Sequence, residues 1–283
     1  MKAAWGVVRA GIKAFFEDEA ASRGAAIAFY AAAALPPAIV AGVAMAGAIF
    51  GRQAAHAIFL AEARGMIGPW TAHLLRRSIM GASGAGAYAG VAGAATLVLA
   101  ETWLFMEVQS ALNAIWKSPS PRRWYWALPV SMLESAILVF AAGALMFASI
   151  VAIALIVSAG KALGGAPPAS LYALDFLLMQ GLVAALFGAV YRILPNQNLT
   201  WRDVAFGAIV TTALFQIGQI LIGLYLSSAW AASVYGAAGG ATALLFWIYY
   251  SAQVFLLGAE FTKAFAERYG SHAPPDLGTN EPG

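Results

Sequence analysis

Five ionisable residues lie within or beside long apolar stretches of the sequence: Glu101, Glu107, Glu134, Arg192 and Glu260. Hydrocarbon solvates charge poorly, so ionisable residues in membrane spans usually face a bundle interior or a polar cavity. In such a cavity an arginine can hold a phosphate through paired donors, and carboxylates can control access. The five residues therefore indicate a polar pathway that receives a lipid headgroup. The alternative is that all but the deepest, Glu101, snorkel or pair at the interface and only fix the helices.

Glu101 is about 10 Å from the end of its predicted helix, at about 1.5 Å of rise per residue. A carboxylate at that depth requires water or a cationic partner, and Arg192 is the predicted partner. Glu107 is six residues further along and points about 120° away, so the two glutamates do not form one acidic pair. Gln216 and Gln219 share a helix face. They are predicted either to bind the substrate or to bond neighbouring helices.

Several catalytic chemistries lack their residues in this sequence. Cysteine is absent, and His56, His73 and His272 are far apart in the chain, so no metal-site spacing is present. Neither a GxxxxGK[ST] loop nor a GxSxG elbow occurs, and no predicted span contains a histidine. We therefore expect no cofactor, no metal and no enzymatic activity. The weaker alternative is a membrane enzyme that uses Glu101 as an acid or base.

The elements that must position these residues are transmembrane helices. Hydrophobic residues make up 61% of the 283 residues and charged residues only 10%, whereas soluble domains carry about a quarter charged residues. The sequence predicts an all-α membrane bundle of about six spans. They are placed at 25–50, 85–108, 128–157, 174–194, 204–226 and 239–262. Pro36 and Pro37 remove two backbone donors from the first span and are predicted to kink it.

The remaining segments are amphipathic or polar. Residues 1–24 are predicted to form a cytoplasmic amphipathic helix that lies in the headgroup region or packs on the protein's own cytoplasmic side. Residues 51–84 are predicted to be external and amphipathic, and 263–283 a cytoplasmic, largely disordered tail. With these spans, eleven Lys and Arg residues lie on one side of the membrane and five on the other. Both termini are therefore expected in the cytoplasm.

A series of short motifs resembles the YihY/virulence factor BrkB family, once labelled ribonuclease BN. The most specific is Tyr191–Asn196 (YRILPN), followed by Arg202 and Gly207. The others, in chain order, are Ala25–Tyr30 with Pro36, Asn113–Trp116, Tyr225, Tyr235–Gly236, Trp247–Tyr249 and Gly258–Phe261. The resemblance covers roughly residues 5–268. It implies a six-span protein of the bacterial inner membrane, for which transport of envelope lipid or lipopolysaccharide has been suggested.

The residues and the resemblance together favour an inner-membrane transporter, or transporter component, for an amphiphilic envelope lipid. The expected partners are membrane lipids and not nucleic acid, and the sequence does not fix the oligomeric state. A non-catalytic scaffold that recruits an envelope-assembly protein is the alternative. In a scaffold, the N-terminal helix and residues 51–84 would provide the interaction surfaces.

Overall fold

The computed structural model describes residues 2–50, 86–118, 169–227 and 236–272, and in these ranges the protein is all-helical. The helices are α1 (Lys2–Glu17), α2 (Ala20–Phe50), α3 (Gly86–Ile115), α4 (Ala169–Ile193), α5 (Trp201–Ser227) and α6 (Gly236–Tyr269). The predicted all-α membrane fold is therefore confirmed. The predicted span 128–157, the segment 51–84 and Glu134 lie outside the described residues.

Three of the described helices contain segments long and apolar enough to cross a membrane: Phe176–Ile193, Trp201–Leu224 and Leu244–Tyr269. Large apolar side chains on all three are exposed, including Leu177, Leu221 and Phe246. In a membrane protein such side chains face lipid, since hydrocarbon imposes no cost on them. The last of these helices ends at Tyr269 rather than at the predicted residue 262. Lys263 is therefore part of the helix and not of the tail.

Helix α2 continues through Pro36 and Pro37 as one helix from Ala20 to Phe50. The two prolines therefore do not end the first predicted span. A transmembrane helix tolerates proline where neighbouring groups or local adjustments satisfy the freed carbonyls. The kink that the prolines predict remains a prediction.

The chain forms two compact units. The first comprises Met1–Ala20, Gln109–Leu214 and Phe255–Gly283, and the second comprises Ala21–Val108 and Phe215–Val254. The core of the first unit contains Leu112, Ile115, Val204 and Leu256, all essentially inaccessible to solvent. In this unit the ends of α3 and α4, the start of α5 and the end of α6 contribute to one core.

In the second unit, aromatic residues of α5 and α6 pack together. The rings of Phe215 and Trp247 are 4.9 Å apart, and Tyr250 lies directly against Gly218. The start of α2 packs on α6 in the same unit, where the Gln253 side chain donates to the Ala21 carbonyl at 3.1 Å. Small residues at these contacts allow the helices to approach closely.

Helix α1 packs on α6 within the first unit through small and apolar residues. Val7 is buried, and a side chain at Gly11 would collide with the ring of Phe261. The helix therefore packs on the protein, while its predicted position on the cytoplasmic side remains a prediction. The opposite face carries Trp5, Ile12 and Phe16, which are exposed and recur at helical spacing. We call these three residues the α1 stripe.

Candidate functional site

The structure separates the predicted site residues by unit and by exposure. Arg192 and Glu260 belong to the first unit, whereas Glu101, Glu107, Gln216 and Gln219 belong to the second. Glu260 is buried, Glu101, Glu107 and Gln216 are half-buried, and Arg192 and Gln219 are exposed. Since Glu101 and Arg192 lie in different units, their pairing remains a prediction. The first unit supplies the geometry that follows.

Among the predicted site residues that the structure describes, Glu260 on α6 is the fully buried one, with 0% of its surface exposed. Neither carboxylate oxygen has a hydrogen-bond partner within the described part of the chain. Lys263 is one turn further along α6, yet its ammonium lies 3.4 Å from a carboxylate oxygen of Asp18. The buried ammonium therefore pairs with the end of α1 and not with Glu260.

Asp18 lies at the break between α1 and α2, and it is followed by Glu19, whose φ of 53° is left-handed. That conformation is uncommon for a residue other than glycine and marks the break between the two helices. The Asp18–Lys263 pair thus attaches this break to α6. The ion pair is mostly shielded, with side-chain exposures of 17% and 11%.

A different face of α6 makes a dense polar contact with α4 and α5. The Tyr191 hydroxyl lies 2.7 Å from the Phe255 carbonyl and 2.8 Å from the Thr211 hydroxyl, which in turn lies 2.7 Å from the Gly207 carbonyl. The two hydroxyls have one hydrogen each for these three contacts. They therefore form a short chain whose polarity can run in either direction.

Two glycines allow α5 and α6 to cross at this place. A side-chain carbon at Gly207 would lie 2.5 Å from the Gly258 carbonyl oxygen. One at Gly258 would overlap the hydroxyls of Thr211 and Tyr191. Thr262, which also lies against Gly207, donates to the Gly258 carbonyl at 2.9 Å. Helix packing thus accounts for three residues of the motifs that resemble the family: Tyr191, Gly207 and Gly258.

Arg192 lies on the exposed side of the same end of α4. Its Nε donates to the Leu199 carbonyl at 3.0 Å, and its guanidinium lies 4.8 Å from the centre of the Trp201 ring. Stacking on an aromatic face and one fixed hydrogen bond orient the planar group. Its terminal nitrogens make no hydrogen bond to the described residues. We call Arg192 and Trp201 the guanidinium–indole surface.

The connection between α4 and α5 is held by the end of α3. The Asn113 side-chain oxygen accepts from the Asn196 backbone N–H at 2.8 Å, and Gln109 donates to the Leu194 carbonyl at 3.3 Å. The Gln197 amide also donates to the Ser118 hydroxyl at 3.0 Å. This connection, residues 194–200, therefore has a fixed conformation, which in turn fixes Leu199 beneath Arg192.

Helix α3 ends in a Schellman motif that presents these side chains. The Ser118 N–H bonds to the Asn113 carbonyl at 2.9 Å and the Lys117 N–H to the Ala114 carbonyl at 3.0 Å. Lys117 has the left-handed φ of 49° that the motif requires. The local sequence Asn113–Trp116 thus acts as a helix end that reaches the next connection.

Asp203 connects the start of α5 to the end of α6. Its carboxylate accepts from the N–H and the hydroxyl of Thr200, at 2.9 and 2.6 Å, and from the N–H and the hydroxyl of Ser271, at 3.0 and 2.7 Å. Asp203, the third helical residue, thus satisfies the N–H of the cap residue Thr200, which is one half of a capping box. The carboxylate is 1% exposed and fully hydrogen-bonded.

Asp18, Lys263 and Asp203 were not predicted as site residues. The capping box Thr200-x-x-Asp203 is readable in the sequence, but the Asp18–Lys263 pair joins residues 245 positions apart and has no local signal. The stacking partner Trp201 has no sequence signal either, because spacing does not reveal what its ring contacts. The described residues contain no cluster of three His, Asp or Glu side chains suited to a metal ion.

The arrangement offers two chemistries in one unit. A buried carboxylate without a hydrogen-bond donor among the described residues can exchange a proton or meet a cation, and an oriented guanidinium at the end of a span can bind an anionic headgroup.

Comparisons with known proteins agree with this membrane architecture. The sequence model of the family described as virulence factor BrkB matches residues 12–280. A UPF0761 membrane protein of Methylibium petroleiphilum is 30% identical over 189 residues, which cover 65% of this chain and 43% of the relative. One of Tolumonas auensis is 28% identical over 183 residues, covering 62% and 57%. The chain thus spans about half the length of these relatives. No solved structure matches it.

Proposed function

The chain belongs to the virulence factor BrkB family of membrane proteins, and on that premise we propose that it transports an amphiphilic envelope lipid, a phospholipid or a lipopolysaccharide-related molecule. It acts alone or as a component of a larger transporter. In this proposal the protein lies in the bacterial inner membrane with both termini in the cytoplasm, and it is not an enzyme.

The observation that carries the proposal is the burial of Glu260 in the span Leu244–Tyr269 without a hydrogen-bond donor among the described residues. A buried carboxylate costs several kcal/mol unless it is neutralised or paired. A scaffold needs no such group, because apolar residues of the same size would pack as well. A transport pathway does need ionisable groups in the bundle.

The guanidinium–indole surface supports a lipid as the substrate class. Arginine binds phosphate through two parallel donors, a geometry that lysine does not provide. Tryptophan and arginine at the end of a span are placed at headgroup depth. An amphiphile with a phosphate headgroup therefore matches Arg192 at its polar end and the surrounding span at its apolar end.

The scaffold remains the second candidate, and the α1 stripe favours it. Trp5 and Phe16 are 69% and 72% exposed on a helix whose opposite face is already packed. Large aromatic residues of this kind are frequent anchors in protein interfaces. The scaffold hypothesis predicts that Trp5→Ala with Phe16→Ala abolishes function while lipid movement is unchanged.

The test is movement of a headgroup-labelled phospholipid across vesicles of phosphatidylethanolamine and phosphatidylglycerol that contain the full-length protein. Wild type should accelerate the change in label accessibility, and Arg192→Lys should slow it at least tenfold. Arg202→Lys is the matched control, since Arg202 is also exposed at the start of α5, and it should behave as wild type.

Leaflet-resolved lipid labelling of cells that lack the protein supplies the second arm. Expression of the wild-type chain should restore the distribution of lipid between the leaflets, and Arg192→Lys should not. A normal distribution in the deletion strain, together with no effect of the reconstituted protein, would overturn transport in favour of the scaffold.

A further inference from the structure

The environment of Glu260 indicates which state of its carboxyl group the fold accommodates. The charged groups whose fields reach it are Lys263 and Glu267 on its own helix, Asp18 at the α1–α2 break and Lys117 at the end of α3. Lys263 is already paired with Asp18. The arrangement therefore fits a neutral carboxylic acid, which needs no counter-ion.

The ionised state requires a cation, and one is within reach. Residues three apart on a helix share a face, so the Lys263 ammonium can turn from Asp18 to Glu260 without movement of the backbone. Among the described lysine residues, Lys263 is the buried one. Asp18 is nearer the surface than Glu260 and can be hydrated when the ammonium leaves it.

We propose that Glu260 releases and binds a proton in each transport cycle, and that the Lys263 ammonium exchanges Asp18 for Glu260 when the proton leaves. In this step the Glu260 O–H bond breaks, the proton passes to water, and the new carboxylate gains the ammonium as its counter-ion. The inference rests on the proposed function, because it makes the proton the coupling ion for lipid movement.

The exchange has a mechanical consequence at the α1–α2 break. Asp18 is attached to α6 through Lys263, and Glu19 next to it is the left-handed turn between the two helices. Loss of the ammonium from Asp18 removes the ion pair between this turn and α6. Proton release at Glu260 is thereby converted into a weaker attachment of the α1–α2 break.

Infrared difference spectroscopy of the full-length protein in vesicles tests the proton site directly. The carbonyl band of a protonated carboxylic acid should be present at neutral pH, disappear in alkali and be missing from Glu260→Gln. Glu17→Gln, which alters an exposed carboxylate, is the control and should leave the band intact. A band that persists in Glu260→Gln, or is missing from wild type throughout, would overturn the proposal.

Two variants test the exchange of the lysine. Asp18→Asn frees the ammonium for Glu260 and should weaken the band at neutral pH, whereas Lys263→Met removes the cation and should preserve the band further into alkali. The second variant covers the case in which the first does not accumulate. Lys13→Gln breaks the exposed Lys13–Glu17 pair and should have no effect. If both test variants titrate as wild type does, the exchange is wrong.

The lipid assay, run with and without a pH gradient, separates the two proposals. Wild type should move labelled lipid faster with the gradient, and the rate of Glu260→Gln should not depend on it. A titrating band without any lipid movement would overturn transport and leave the proton site standing. Lipid movement that ignores the gradient, with no titrating band, would overturn the proton site alone.

Discussion

Two buried carboxylates in the first unit differ in almost everything except burial. Asp203 is 1% exposed and accepts four hydrogen bonds from Thr200 and Ser271. Glu260 is 0% exposed and accepts none from the described residues. Burial of a charge is therefore not by itself a sign of function. The difference is whether the fold supplies hydrogen-bond donors. The donors around Asp203 give it a structural role. Their absence around Glu260, among the described residues, favours a functional role for that residue.

Replacing Asp203 by its amide should produce the largest loss of stability. Asp203→Asn keeps the shape but places an N–H₂ group against the donors of Thr200 or Ser271. Hydrogen bonds to a charged group contribute about 1.5–3 kcal/mol each, so a loss of roughly 2–4 kcal/mol is expected. Thermal unfolding of the purified protein in detergent measures it. An unchanged melting temperature would contradict the structural role.

The glycine crossing next to Glu260 should be nearly as sensitive. Gly258→Ala forces the hydroxyls of Thr211 and Tyr191 away, and overpacking of this kind costs about 1–3 kcal/mol. Gly181→Ala is the matched control, because no atom lies within 4 Å of the position of its new side chain. The control should be neutral or stabilising by up to about 1 kcal/mol. Equal melting temperatures for the two variants would refute the close crossing.

Loss of the Tyr191 hydroxyl should have a smaller effect. Tyr191→Phe removes a member of the hydroxyl chain and is expected to cost about 0.5–1.5 kcal/mol. Thr211→Val removes the other member, and the double variant should cost less than the two single variants together, since they share one interaction. Strict additivity would mean that the two hydroxyls are not coupled. The expected loss of stability gives the α4–α6 contact a structural role, as it does for Asp203.

The smallest effect on stability is expected at Glu260. Glu260→Gln replaces a buried neutral carboxyl group by an amide of the same size without breaking a hydrogen bond to the described residues, so the change should lie within about 1 kcal/mol of wild type. Expression of Glu260→Gln in cells that lack the protein should nevertheless fail to restore the distribution of lipid between the leaflets. A destabilisation as large as that of Asp203→Asn would remove the distinction between the two residues and would mean that Glu260 also has a structural role.

The sequence predicts the helices well because membrane spans are specified by composition. The predicted spans 25–50, 85–108, 174–194, 204–226 and 239–262 all lie in or largely within observed helices. The last helix extends further than predicted because no glycine or proline occurs between the predicted end, Thr262, and Gly270. Hydropathy falls at Lys263, but a helix can continue beyond the end of its apolar segment, as this one does to Tyr269.

The site is less predictable, because it depends on which polar groups meet. Glu260 and Arg192 can be selected from the sequence as ionisable groups in apolar surroundings. Their environments cannot, since the donors to Asp203 and the partner of Lys263 come from distant parts of the chain. The spacing of residues tells which face of a helix a side chain occupies and not what the neighbouring helix presents to it.

The attachment of α1 to α6 also constrains how the protein is made. Asp18 and Lys263 are separated by 245 residues, which a ribosome adds in roughly 10–50 s at 5–20 residues per second. During that interval the first helix has been synthesised but its partner does not yet exist. Its packing face, with Val7 and Gly11, stays uncovered during this time, and we expect the α1 stripe on the other side to hold the helix at the membrane surface. Insertion of the final span then completes the fold and the ion pair together.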